Sequence, residues 1–156
     1  MILYHGTNID FDVIDISKSS PFKDFGRGFY LTDLKRQAEE MAEKKTSLFK
    51  GVPVVQAYEF DERWLTSSEL KVLLFHSTTR EWAEFIFKNR SRSANFHHDF
   101  DIVYGPIAND GVAYLLGRFE EGTLTIEELA KELKYKKLNN QYFFGTAKAI
   151  NLLKRI

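Results

Sequence analysis

The chain predicts an α+β fold, and three observations carry that expectation. Strand-like segments are short and irregularly spaced among helical ones, whereas a doubly wound sheet would alternate strand and helix regularly. The 156 residues suit one domain, and 44% hydrophobic content is enough to fill its core. The Gly26-Arg27-Gly28 element precedes a strand and lacks a third glycine at the right place, which disfavours a Rossmann fold. No Lys-Ser/Thr ending supports a P-loop either.

The elements follow from local signals. Met1 to Tyr4 reads as a short strand, and Pro21 to Gly28 as a turn-rich loop entering a second strand at Phe29. Asp33 to Lys45 has helix-forming composition, with Leu34, Ala38 and Met41 on one face. Val52 to Phe60 is a buried strand, punctuated at its entry by Gly51 and Pro53. Thr78 and Glu81 have capping-box spacing, which starts a helix there that ends by Arg92. Asp101 to Pro106 is a strand, followed by a loop through Asn109-Asp110-Gly111 and a helix over Val112 to Glu120. A helix from Thr125 with Glu128 at capping-box spacing, a strand over Gln141 to Phe144 and a helix from Thr146 to the end complete the chain. The fourteen phenylalanines are assigned to the core.

Charge and cysteine usage exclude several classes. Lys+Arg and Asp+Glu both total 22, so no global field draws the protein to nucleic acid or an anionic membrane, although local patches remain open. The absence of cysteine removes disulfides, zinc-thiolate sites and thiol nucleophiles, which fits a reducing compartment. With neither a signal-like leader nor an apolar run of membrane-spanning length, a cytoplasmic protein is expected.

Three short motifs carry chemistry. In Tyr4-His5-Gly6-Thr7, an imidazole at a strand end can hydrogen-bond a ribose hydroxyl, and the glycine beside it leaves its backbone open to a flat amide. The second is Phe25-Gly26-Arg27-Gly28-Phe29-Tyr30-Leu31-Thr32-Asp33, a glycine-punctuated strand that carries a tyrosine. The third is Asn140-Gln141-Tyr142. In this order they resemble the NAD-binding signature of the ADP-ribosyltransferases, in the branch that includes diphtheria toxin and the poly(ADP-ribose) polymerases.

The resemblance implies a split β-sheet domain over residues 1–156 that binds NAD, releases nicotinamide and transfers ADP-ribose to a macromolecule, protein or nucleic acid. It implies that His5 holds the adenosine-side ribose, that the Gly6 backbone pairs with the nicotinamide carboxamide, and that Tyr30 stacks on the nicotinamide ring. Thr7, Gly28 and Phe29 belong to the same cofactor-binding motifs. Ser17 to Lys23 would form a loop over the NAD mouth, and by counting, Met41 stands where the polymerases have a second stacking aromatic. Small bacterial proteins of this type are commonly toxins or phage-defence effectors, so an antitoxin partner is implied as well.

The departure from the family pattern is Gln141, which replaces a glutamate. A carboxylate there stabilises the oxocarbenium-like charge as nicotinamide leaves and helps activate the acceptor, whereas an amide can only orient the ribose. A mono-transferase fits this better than a chain-building polymerase. The candidates for a replacement carboxylate are Asp101 and Asp110, because the Gly105-Pro106 kink between them could bring one to the pocket rim. Two other readings use the same pocket: a non-catalytic nucleotide-binding module, and an NAD glycohydrolase with water as acceptor. The basic run Lys88 to Arg92 beside Phe96 suits single-stranded nucleic acid, but it reads more simply as a charged helix end. His97 and His98 are adjacent in sequence and do not form a metal-binding pair, so no metal is expected.

Overall fold

The computed structural model describes residues 1–134 and 136–156. It is an α+β fold built on two sheets. Strands β1 (Ile2–Thr7), β3 (Val54–Glu59) and β7 (Lys154–Arg155) form one sheet in the order β1-β3-β7, antiparallel throughout. Strands β2 (Phe29–Leu31), β4 (Val72–Leu74), β5 (Ile102–Pro106) and β6 (Asn140–Phe144) form the other, in the order β2-β6-β5-β4, with β4 parallel to β5. Among the described residues one backbone bridge links the sheets, where Tyr4 and Thr32 exchange hydrogen bonds of 2.7 and 2.9 Å. Beyond that bridge β1 and β2 part, so the two sheets are one surface split along a seam.

The pleat of the larger sheet explains its two cores. Alternate residues of a strand point to opposite faces. On one face Val103 and Phe143 pack with Trp82, Ile86, Leu116 and Leu129 from the helices α2 (Arg80–Arg90), α3 (Asp110–Glu120) and α4 (Ile126–Leu133). On the other, Ile102, Tyr142 and Phe144 meet Leu3, Tyr58 and Phe60 of the smaller sheet. Helix α1 (Lys35–Phe49) packs on β1 at Gly6, where a Cβ would lie 2.1 Å from the Ala38 carbonyl oxygen. Only glycine lets the helix come that close. Most of the phenylalanines lie in these two clusters, as their number predicts.

Helix starts follow their caps. Thr125 and Glu128 form the expected capping box at α4, and Asn109 caps α3 through the Val112 N–H. Helix α2 starts one residue later than its spacing predicts. Thr79 accepts from the Trp82 N–H, while the Thr78 hydroxyl donates to the Leu133 carbonyl and ties α2 to α4. The long C-terminal helix is corrected too. Helix α5 (Ala147–Ile150) is a single turn, after which β7 adds an edge to β3 and Arg155 donates to the Phe11 carbonyl and to Asp10. Among the described residues no helix is long and apolar enough to cross a membrane.

Candidate functional site

The seam between the sheets opens into a cavity of about 740 Å³, large enough for a dinucleotide-sized ligand. Its walls come from β1, the loop before β2, β2 itself, α1, and the start of β6. Eight residues expected to bind cofactor line it: His5, Gly6, Thr7, Gly28, Phe29, Tyr30, Met41 and Gln141. Gln141 is far from the other seven in sequence and meets them here because β2 pairs with β6 and touches β1.

His5 spans the seam. Its Nδ1 lies 2.7 Å from the Tyr30 carbonyl oxygen, which can only accept, so Nδ1 carries the proton. Burial, aided by the nearby Lys45 charge, pushes the imidazole down to about 3. At neutral pH the ring is therefore uncharged and Nε2 is an acceptor. Phe29 packs on the ring at a centroid distance of 4.3 Å and fixes its plane.

Gly6 presents its backbone to the seam. Tyr4 bonds across the bridge through both its N–H and its C=O, and strand alternation turns Gly6, two residues on, the same way. Its carbonyl accepts from Lys45 Nζ at 3.0 Å. Burial and the charge of Lys23 lower that ammonium to about 8.

Tyr30 is fixed at both ends. Its hydroxyl donates to the Gly26 carbonyl at 2.6 Å and accepts from the Phe25 N–H at 3.0 Å. Phe143 meets the ring edge-on at 5.2 Å, and the Lys23 ammonium sits over it at 5.1 Å from the centroid. A cation thus occupies the position a stacking ring would take. The glycines of this motif answer to two different local demands. Gly26 has φ +88°, which a side chain rarely adopts, while a Cβ on Gly28 would lie 2.2 Å from the Phe143 ring. Gly28 is a packing requirement.

The two aspartates expected at the pocket rim do not line the cavity. Asp101 is a buried clamp before β5: its carboxylate accepts from the Thr146 hydroxyl at 2.6 Å and from the Lys71 N–H at 2.8 Å. Asp110 opens α3 in an exposed position, where a negative charge suits the helix dipole. The expected Gly105-Pro106 kink does not form: both residues continue β5 in register with β6, and Ile107, just past the strand, lines the cavity wall.

Two carboxylates that sequence reasoning missed do reach the cavity: Asp15, exposed and capping a short turn by accepting from Ser17, and the buried Asp24. Asp24, 9% exposed, lies in the loop before β2 and lines the wall beside Gln141. Its Oδ2 accepts from Gln141 Nε2 at 3.0 Å and from the Ala108 N–H at 2.9 Å, and Oδ1 lies 3.4 Å from Arg90 Nε. Burial raises its pKa, while the Ala108 N–H, Arg90 and Gln141 pull it back. His98 anchors the same loop by donating from Nε2 to the Phe25 carbonyl at 2.7 Å, a structural task for a histidine weighed as a ligand. Gln37 was missed as well. It lines the cavity from α1, and its Oε1 is buried without a partner among the described residues. The only available signal for Asp24 was its position two residues before Gly26, and no spacing rule reveals that contact with Gln141.

The mouth is apolar, with Ile9, Val13, Met41 and Phe49 both exposed and part of the wall. The loop expected over it is there: Lys18, Ser19, Ser20, Phe22 and Lys23 all line the cavity.

Fold and site together define an α+β protein with a ligand-sized cavity at the seam of a split sheet. A family model described as "Protein of unknown function (DUF3990)" matches residues 1–155, and the chain belongs to that family. No curated protein matches the chain, and no solved structure does.

Proposed function

We propose that the protein is an NAD-dependent ADP-ribosyltransferase that modifies a macromolecule and releases nicotinamide. The observation that carries this reading is the convergence of His5, Gly6, Tyr30 and Gln141 on one cavity, from three distant motifs. Neutral His5 offers Nε2 to the adenosine ribose. The Gly6 backbone offers an edge to the carboxamide, and Tyr30 offers a ring face once Lys23 swings aside. That displacement separates two cations, because oxidised nicotinamide is itself positively charged. The unpartnered Gln37 Oε1 accepts from a ligand hydroxyl or amino group.

In the reaction the bond between ribose C1″ and the nicotinamide nitrogen breaks, its electron pair leaves with nicotinamide, and an acceptor oxygen or nitrogen attacks C1″ with loss of a proton. Gln141 cannot serve as the base, which favours single transfer over chain growth. An intracellular toxin or defence role, with an antitoxin to restrain it, follows from the same resemblance.

The test is transfer of label from adenylate-labelled NAD into a bacterial lysate by wild type, His5→Ala and Tyr30→Ala, followed by protease or nuclease digestion. Incorporation that disappears in both variants supports the transferase, and the digestion identifies the acceptor class. Free ADP-ribose without labelled macromolecule would replace transfer with hydrolysis. NAD binding without nicotinamide release would leave only a binding module.

A further inference from the structure

We infer that Asp24 is the carboxylate that stabilises the ribosyl cation, with Gln141 acting as its positioning residue. This rests on the NAD reading of the cavity and goes beyond it by assigning the charge that Gln141 lacks. Its position and its partner carry it. Asp24 is buried yet forms part of the cavity wall. Its partner is Gln141, the side chain that stands where the resembling family has its glutamate, and the two are 3.0 Å apart. The carboxylate is therefore within one hydrogen bond of the place where the chemistry needs a negative charge.

Its surroundings keep it oriented and offset part of the cost of burying its charge. One oxygen receives two N–H donors, from Ala108 and Gln141, and the other faces the Arg90 guanidinium. Both N–H donors bond the same oxygen, Oδ2, so the Oδ1 edge has only the longer 3.4 Å contact with Arg90. That edge is the one left to face a developing cation. Burial heightens the electrostatic effect, since a preorganised charge is worth more where water is excluded.

The step balances as follows. The C1″–N bond breaks and its electron pair neutralises the departing nicotinamide. Positive charge spreads over C1″ and the ribose ring oxygen, opposite the Asp24 carboxylate. The acceptor's oxygen or nitrogen then bonds to C1″, and its proton passes to Asp24, which releases it to solvent. The raised pKa of Asp24 suits a group that accepts a proton in turnover.

The experiment measures NAD binding by calorimetry and nicotinamide release by chromatography for wild type, Asp24→Asn, Gln141→Glu, Arg90→Gln and Asp101→Asn. Asp24→Asn is expected to bind NAD within about threefold of wild type and to release nicotinamide at least about 100-fold more slowly, the scale of one electrostatic catalytic group. Gln141→Glu sets a second carboxylate against the first, so one of them holds a proton and release falls as well. Arg90→Gln removes the charge that lowers the Asp24 pKa, so the acid limb of the rate profile moves to higher pH. A purely structural Asp24 would leave that limb in place, which keeps the test decisive even where Asp24→Asn is poorly folded. Asp101→Asn, outside the cavity, is expected to retain release.

Release by Asp24→Asn within about threefold of wild type would overturn the inference and leave the NAD reading intact. Gain of activity in Gln141→Glu would likewise assign the charge to position 141. Wild type that binds NAD without releasing nicotinamide also overturns it. Failure of wild type to bind NAD is a separate result, which removes the underlying reading first.

Discussion

Asp24 and Asp101 are both buried, and they sit at opposite ends of the β5–β6 pair. Asp101 precedes β5 and takes its bonds from Thr146, just past β6, and from Lys71. Asp24 takes its bonds from Ala108, just past β5, and from Gln141 in β6. Each end is thus stitched by a carboxylate that gathers N–H or O–H donors from neighbouring segments. The difference is what lies beyond: Asp24 borders the cavity together with a guanidinium, while Asp101 does not reach it. A buried carboxylate is a clamp wherever it is saturated by donors. It becomes a candidate for chemistry only where one edge also faces a site.

Phe143 supports both ends, because a Cβ at Gly28 on the cavity side or at Gly145 beside Asp101 would strike its ring. Phe143→Ala should therefore show the largest stability loss, about 3–5 kcal/mol in urea unfolding, with NAD binding weakened in the folded fraction. A loss below about 1 kcal/mol would mean that the two ends do not share a packed base.

The cavity end should also carry a pH signature, set by His5. His5 stays neutral in the fold down to about 3, whereas in the unfolded chain it takes a proton near 6.5. As pH falls, the unfolded state gains that proton first, so the contribution is complete above pH 6.5 and is lost between 6.5 and 3. On the order of 5 kcal/mol should disappear across that window, and His5→Asn should flatten the slope in unfolding curves measured at several pH values. An unchanged slope would place the imidazole in water.

A smaller contrast comes from the aspartates themselves. Asp101→Asn removes a charged acceptor from two donors and should cost about 2 kcal/mol. Asp24→Asn loses similar bonds but relieves a desolvated charge, so its net cost should stay below about 1 kcal/mol. The reverse order, read from denaturant midpoints, would make Asp24 the clamp. The smallest effect belongs to a site remote from both ends. Thr125→Ala removes the α4 cap, should cost about 1 kcal/mol and should leave NAD binding unchanged in calorimetry.

The α+β class and most elements were legible in the sequence because they rest on local signals: Thr125 with Glu128 for α4, Gly51 with Pro53 before β3, and the apolar run of β6. The strand β4 was not, since three residues from Val72 to Leu74 become a strand only by pairing with β5. The same holds for β7, where the polar pair Lys154 and Arg155 gains strand geometry from β3. For the site, motif order grouped His5, Tyr30 and Gln141, and all three line one cavity. Asp24 escaped because its meaning lies in a contact with Gln141, 117 positions away. Asp101 attracted attention through Gly105-Pro106, but those residues continue β5 in register with β6, and it is the segment just past them that brings Ile107 to the cavity and the Ala108 N–H to Asp24.

The most direct measurement is a calorimetric titration of NAD into the purified protein and its His5→Ala variant. Saturable one-site binding by wild type, weakened at least about tenfold in the variant, is the result the account predicts. Absence of binding by wild type, or equal affinity in both proteins, would contradict the assignment of the seam cavity to NAD.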